Sequence, residues 1–195
     1  MAQIFLSASI PVQGRGNFLE SADPFLIQFA VRELMTVCLG RRRVVWGGHP
    51  AITPMVWAVC ESLDVKYASA VRLYQSRFFE EWFPEENKLF RNVRFVPAVA
   101  KDRAASLEVM RRSMLAEPFD VAVFIGGMEG IFDEHRIFKE LHPKAKVLAL
   151  SAPGGAAMQL AKRLRQKNDG IDFARLFHKK LSISATEPRD QIQDD

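Results

Sequence analysis

Glycines and small hydroxyl residues cluster where short apolar runs end. Val121-Ala-Val-Phe-Ile125 runs straight into Gly126-Gly127-Met128-Glu129-Gly130, and a helix-forming stretch through Glu134 follows. Three glycines in such a turn remove side chains where a backbone must be approached closely. The helix beyond offers unpaired N–H groups and the positive end of its dipole. The chemistry this suits is the holding of an anion, above all a phosphorylated ligand. Three more apolar runs end alike, at Ser7-Ala8-Ser9, Gly47-Gly48 and Gly154-Gly155. One such ending is weak evidence, because turns need glycine in any case. Four of them matter more, because parallel strands would bring all four ends to one rim of a sheet.

Side chains near these endings each admit two duties. Arg15, between Gly14 and Gly16, is either a mobile phosphate clamp or a surface arginine. His49 follows Gly47-Gly48 and precedes Pro50; it is either an N-cap-like residue or a donor and stacking surface. Gln75 and Ser76 end a run and either touch a base or sugar or cap the next turn. Glu129 is a turn residue or a partner for a ribose hydroxyl or base amine. Glu134 is a functional carboxylate or an acid favoured by the dipole of a first helical turn. Of Arg111 and Arg112, at least one is a solvated helix charge. No Gly-Lys-Ser/Thr ending makes a Walker loop, and Gly14-Arg15-Gly16 lacks the third glycine of a dinucleotide fingerprint. His135, His142 and His178 show no metal-like spacing, so neither metal nor cofactor is expected.

The elements that must position these groups alternate. Strands are expected at Gln3–Ser9, Arg43–Trp46, Ala70–Gln75, Val93–Pro97, Val121–Ile125 and Lys146–Leu150. Asp23-Pro24 reads as an N-cap and first helical residue, opening a helix with Phe25, Phe29, Ala30, Val37 and Cys38 on one face and Gly40 closing it. Further helices are expected through Ile52–Leu63, Lys101–Leu115, Ile131–Leu141, Ala156–Arg165 and Asp172–Leu181. Ser76 to Leu89 is aromatic and acidic: either a short helix and loop covering the site or a partner surface. This grammar predicts an α/β fold, Rossmann-like and doubly wound, with a mainly parallel sheet and helices on both faces. One domain is expected over residues 3–183, with 184–195 a polar, disordered tail.

Bulk composition agrees. The chain has 195 residues, 48% hydrophobic and 26% charged, enough for one sizeable core. Its apolar runs are too short to cross a bilayer, and the N-terminus does not read as a secretory signal. Cys38 and Cys60 fit buried thiols in a reducing cytoplasm. The net charge of +4 is scattered rather than gathered on a face, which disfavours nucleic acid as a partner.

Several phrases also resemble a known group. Met110-Arg111-Arg112-Ser113-Met114 followed by Asp120–Glu134 is similar to the second half of the "lonely guy" cytokinin-activating phosphoribohydrolases, and Val45-Trp46-Gly47-Gly48 to their earlier glycine loop. Those enzymes belong to the SLOG superfamily. It also holds DprA/Smf proteins, sensor domains of melastatin-type TRP channels, and domains attached to sirtuin and TIR effectors in bacterial defence. Phe5–Pro11, Gly47–Pro54, Tyr74-Gln75-Ser76 and Phe124–Gly130 look closest to the bacterial sensor-type branch. The hydrolase pattern has proline before the paired glycines, where this chain has Ile125. It has threonine where this chain has Ile131, and Glu129 is an added residue. Arg111 and Glu134 match its arginine and distal carboxylate, and would be the catalytic pair if this chain is a hydrolase.

The resemblance implies a nucleotide-derived ligand, such as ADP-ribose or a cyclic relative, sensed in defence or stress signalling. The alternatives are N-glycosidic hydrolysis of nucleoside monophosphates and, more remotely, single-stranded DNA handling. It also implies a homo-oligomer, with Phe78–Phe83 and the Phe173, Leu176, Phe177 face as surfaces, and a separate effector protein as partner. The expected ligand set is Ser7, Ser9, Arg15, Gly47, Gly48, His49, Gln75, Ser76, Arg111, Gly126, Gly127, Met128, Glu129, Gly130 and Glu134.

Overall fold

Short apolar runs form the strands. They are β1 (Gln3–Ser9), β2 (Arg43–Trp46), β3 (Val71–Ser76), β4 (Asn92–Val96), β5 (Val121–Gly126) and β6 (Lys146–Ala149). The central ones are buried on both faces, while the edge strand β4 is largely exposed. The structure is a computed structural model that describes residues 3–190. All strand pairings are parallel, in the order β4-β3-β2-β1-β5-β6. The chain therefore winds outward from β1 to β4, returns, and continues from β5 to β6. The reversal lies between β1 and β5, where an open parallel sheet forms its crevice.

Helices cover both faces, as the alternation predicts. They are α1 (Phe18–Ser21), α2 (Pro24–Cys38), α3 (Thr53–Leu63), α4 (Arg103–Leu115), α5 (Gly130–Leu141), α6 (Gly155–Arg163) and α7 (Phe173–Leu181). Side-chain alternation along β1 divides the core. Ile4 and Leu6 join α2, α3 and α7, whereas Phe5 joins α4, α5 and α6. No helix among the described residues is long and apolar enough to cross a membrane. Cys38 and Cys60 are buried free thiols, and burial pushes both up to about 12.

Helix signals in the sequence act as expected. Asp23 caps α2 by accepting the Leu26 N–H at 3.1 Å, with Pro24 in the first turn. Phe25, however, is exposed, and Phe29 lies off the buried stripe. That stripe runs through Ile27, Ala30, Val31, Leu34 and Cys38, nearly half a turn away. Phe29 is covered instead by Phe173 of α7, at 5.7 Å between ring centres. Phe173 and Phe177 are buried against α2, so the last helix does not present those rings as a partner surface.

The tail expectation divides. Residues 191–195 lie outside the described residues. Over 184–190 the chain is strapped to the end of α2. Arg189 donates to the Thr36 carbonyl at 2.5 Å and to that of Leu39, and Arg41 donates to the Glu187 carbonyl at 2.7 Å. Helix-end carbonyls need donors, and an arginine from a polar tail supplies them.

Gly126 and Gly127 do a different job from the one their sequence suggests. Both have positive φ, +62° and +76°. A Cβ on Gly126 would sit 2.5 Å from Ile27 Cδ1 and 2.9 Å from the Ser9 carbonyl oxygen, and one on Gly127 would overlap Ile131. The Gly127 N–H donates to the Ser9 carbonyl, and its own carbonyl accepts from Ala156. What approaches these glycines is the protein itself. Gly126→Ala should combine left-handed strain with overpacking, about 2–4 kcal/mol, and lower the melting temperature by roughly 5–15 °C in calorimetry. A shift under about 2 °C would contradict this.

Candidate functional site

Three strand ends and two helices converge on one cavity of about 340 Å³. Its floor is the end of β1 (Leu6, Ser7, Ala8, Ser9). One wall is the β2 turn (Trp46 to Pro50) with Gln75 of β3 behind it. The opposite wall is the start of α5 (Met128, Gly130, Ile131, Glu134). Arg103, Leu107, Met110 and Arg111 of α4 close the side, and Phe79, Trp82, Phe83 and Pro84 form the roof.

The centre of the site is a carboxylate held from three elements. Glu134 comes from the second turn of α5. Its Oε2 accepts the Ser7 hydroxyl of β1, and its Oε1 faces Arg111 Nε of α4 at 3.4 Å. Arg111 Nη1 also meets Asp133 Oδ2 at 3.0 Å. The Arg111 and Glu134 side chains are only 12% and 17% exposed. Burial raises the Glu134 carboxyl above its ordinary range. The Arg111 charge and the Ser7 hydrogen bond oppose that rise without cancelling it.

Gly130 makes this arrangement possible. A Cβ there would lie 2.5 Å from Arg111 Nη2, so glycine lets the guanidinium rest against the start of α5 without shifting. The N–H groups of Ile131 and Phe132 turn back to the Met128 and Glu129 carbonyls. Those of Met128 and Gly130 have no backbone acceptor among the described residues, while the Glu129 N–H is met by that residue's own carboxylate. A guanidinium and open amides thus stand together at a helix N-terminus, the combination that suits a phosphate.

The other candidates fall into place around this centre. Arg15 reaches over from the loop after β1 and pairs with Glu129. Partial burial pushes the Glu129 carboxyl up, but the Arg15 hydrogen bond, its own backbone and the charges of Arg15 and Arg103 together hold it below its usual value. His49 has its imidazole held low by burial first and by Arg15 second. Its Nδ1 accepts the Ala51 N–H at 3.3 Å, and its carbonyl accepts from Ile52 and Thr53, so it serves the entry to α3 while lining the cavity. Gln75 donates to the Gly47 carbonyl at 3.2 Å, and its amide occupies the space a Cβ on Gly48 would need.

Four expected positions do not line this cavity. Ser76 is buried and accepts the Phe78 N–H at 3.3 Å, capping a 3-10 turn (Arg77–Trp82) rather than facing a ligand. Gly126 and Gly127 lie behind the wall, packed as described above. Glu129 lines an adjoining, more open cleft with Arg15, Arg103, Arg111 and Asp133. The fourth strand end also stands apart: Gly154 packs on Ser21, and Gly155 on Gly126 and Gly127.

Sequence reasoning missed Arg103 and the apolar lining. Arg103 follows the N-cap Asp102 of α4, a place where an arginine carries no distinguishing signal; its guanidinium lies 5.8 Å from the Phe79 ring centre. Leu107 and Met110 read as core by spacing, and their upper ends also face the cavity. The aromatic stretch did carry a signal. Of the two readings left open, covering the site is the one seen for Phe79 and Phe83, while Trp82 lines the roof and remains 61% exposed.

Comparison with known families bears on this arrangement. The SLOG cluster3 family model matches residues 17–181, most of the chain. The chain belongs to that family. Membership points to a nucleotide-related binding domain, in keeping with arginines, open amides and aromatic rings around one crevice. No curated protein matches the chain.

The raised Glu134 carboxyl makes a pH prediction for this SLOG domain. A carboxyl whose folded value lies above its unfolded one binds more protons when folded, so its contribution to stability falls as pH rises from about 4.5 through the raised value. Glu134→Gln removes that dependence. The stability of the variant relative to the parent should therefore improve steadily with rising pH across that window in chemical denaturation. A pH-independent difference would refute it.

Proposed function

We propose that this SLOG domain binds a nucleotide-derived metabolite of the NAD-derived class, such as ADP-ribose or a cyclic relative, and acts as its sensor. The observation that carries the reading is the polarity of the cavity. Arg111 and the open amides of Met128 and Gly130 stand at one end, and Phe79, Trp82 and Phe83 roof the other. Cation and amide donors suit phosphate; flat rings suit a base. Gln75 and His49, at the ends of β3 and β2, also line the cavity and offer polar groups that suit a ribose. The sensor role, its output through self-association or a separate effector protein, and a setting in bacterial defence or stress signalling rest on the family resemblance. The exposed Trp82 beside the roof is the surface best suited to transmit occupancy.

A second reading has its own observation. Glu134 is a shielded carboxyl raised above its ordinary range and placed beside Arg111. Such a group keeps its proton more readily than an ordinary carboxylate, a property that N-glycosidic hydrolysis of a nucleoside monophosphate would use.

Titration calorimetry with AMP, ADP-ribose and cyclic ADP-ribose tests the first reading. Saturable binding is expected for at least one, weakened roughly 10- to 100-fold by Arg111→Ala, the loss typical of a charged hydrogen-bond donor. No heat at millimolar ligand with any of the three would end it. Incubation with AMP tests the second. Free adenine released by the parent and not by Glu134→Ala would establish turnover; no release would remove it.

A further inference from the structure

The Arg15–Glu129 pair closes the boundary between the cavity and its neighbouring cleft. Arg15, Arg103 and Arg111 line both spaces, whereas Glu129 lines only the outer one. Three guanidinium groups around one opening repel each other unless anions are present. Within the chain those anions are Glu129 on Arg15, and Asp133 and Glu134 on Arg111. Arg103 lies over the face of Phe79, and its charge also helps hold the Glu129 carboxyl down.

The three carboxylates are not equally committed. Glu134 is shielded and also holds the Ser7 hydroxyl. Asp133 is half exposed, and serves an arginine that Glu134 already neutralises. Glu129 is 53% exposed, and Arg15 is its recorded side-chain partner; Arg15 is itself 36% exposed on a loop. An ion pair so open to water is worth little, of order 0–1 kcal/mol, and can be exchanged. Glu129 also stands between the open backbone N–H groups of Met128 and Gly130, its own N–H being met by its carboxylate. Its carboxylate thus occupies, on Arg15, the position that a second anionic group of a ligand seated on Arg111 would take.

We propose that Glu129 is a built-in competitor for a second phosphate, so that Arg15 and Glu129 make the site selective for a nucleotide bearing two linked phosphates. One phosphate sits at Arg111 and the open amides. The next displaces Glu129 from Arg15 and gains Arg103, and the released carboxylate turns to solvent. A monophosphate leaves the Arg15–Glu129 pair intact. This rests on the nucleotide-binding reading above, and it adds the phosphate count and the residue that enforces it.

Affinities of AMP, ADP and ADP-ribose, measured by calorimetry on the parent, Glu129→Gln and Arg15→Ala chains, test it. Glu129→Gln removes the competitor while keeping size and polarity. It should tighten ADP and ADP-ribose by about two- to fivefold, the value of an exposed ion pair, and leave AMP unchanged. Arg15→Ala should weaken the two diphosphates roughly tenfold or more, and again leave AMP unchanged. If both substitutions shift all three ligands alike, or neither shifts any, this inference is wrong while nucleotide binding stands. If none of the three binds the parent, both it and the parent reading fall. Unchanged melting temperatures for both exposed-site variants show that folding is not what is being read.

Discussion

Removing a carboxylate from water costs free energy unless a cation and hydrogen-bond donors come with it. Glu134 meets that condition through two residues from other elements, Ser7 at the end of β1 and Arg111 from the middle of α4. The rest of the site hangs on this. Ser7 and Glu134 join the two sides of the β1/β5 reversal, and Arg111 draws α4 across the opening. Outside the site, Arg112 of α4 pairs with Glu140 of α5 at 3.1 Å and with Glu108 at 2.7 Å, holding the same two helices together on their solvent side. Gly130 completes the set, because a side chain there would make the guanidinium shift from where it now rests.

Charge balance follows from the same constraint. Arg15, Arg103 and Arg111 face Glu129, Asp133 and Glu134, so the opening is close to neutral without a ligand. A cluster of arginines held only for an absent anion would destabilise the fold by mutual repulsion. Pairing them internally avoids that cost, and it changes what ligand binding means. Under the proposed reading, an incoming anion does not fill an empty positive well; it exchanges with carboxylates already there. Selectivity then depends on how firmly each internal carboxylate is held, which differs sharply between buried Glu134 and exposed Glu129.

Much of this frame is legible in the sequence, because it rests on local rules. β1 and β2 begin and end with their continuous apolar runs, and Asp23-Pro24 opens α2 by capping chemistry that any sequence displays. What the sequence hides is which surface approaches which residue. Gly126 and Gly127 look like a ligand loop, but Ile27, Ile131 and Gly155 fill the space beside them. Ser76 looks like a strand-end hydroxyl facing a ligand, and its oxygen is taken by a turn. Phe29 sits off the buried stripe of α2 and is nonetheless covered, because α7, more than 130 residues later, lies over it. Arg103 and the Arg189 strap share this blindness: each acts through a partner distant in sequence, and neither residue's own neighbourhood announces it.

Arg111 also ties phosphate grip to the proton affinity of Glu134. Its charge is the largest influence holding that carboxyl down against burial, with the Ser7 hydrogen bond next. A phosphate that draws the guanidinium toward itself weakens the first of these and adds negative charge nearby. Both changes raise the carboxyl further and favour its protonated form. Under the proposed nucleotide-binding reading, a tightly held phosphate would therefore raise the proton affinity of Glu134 further. The two proposed readings, nucleotide binding and glycosidic hydrolysis, thus turn on the same guanidinium, because Arg111 faces both the open helix end and Glu134.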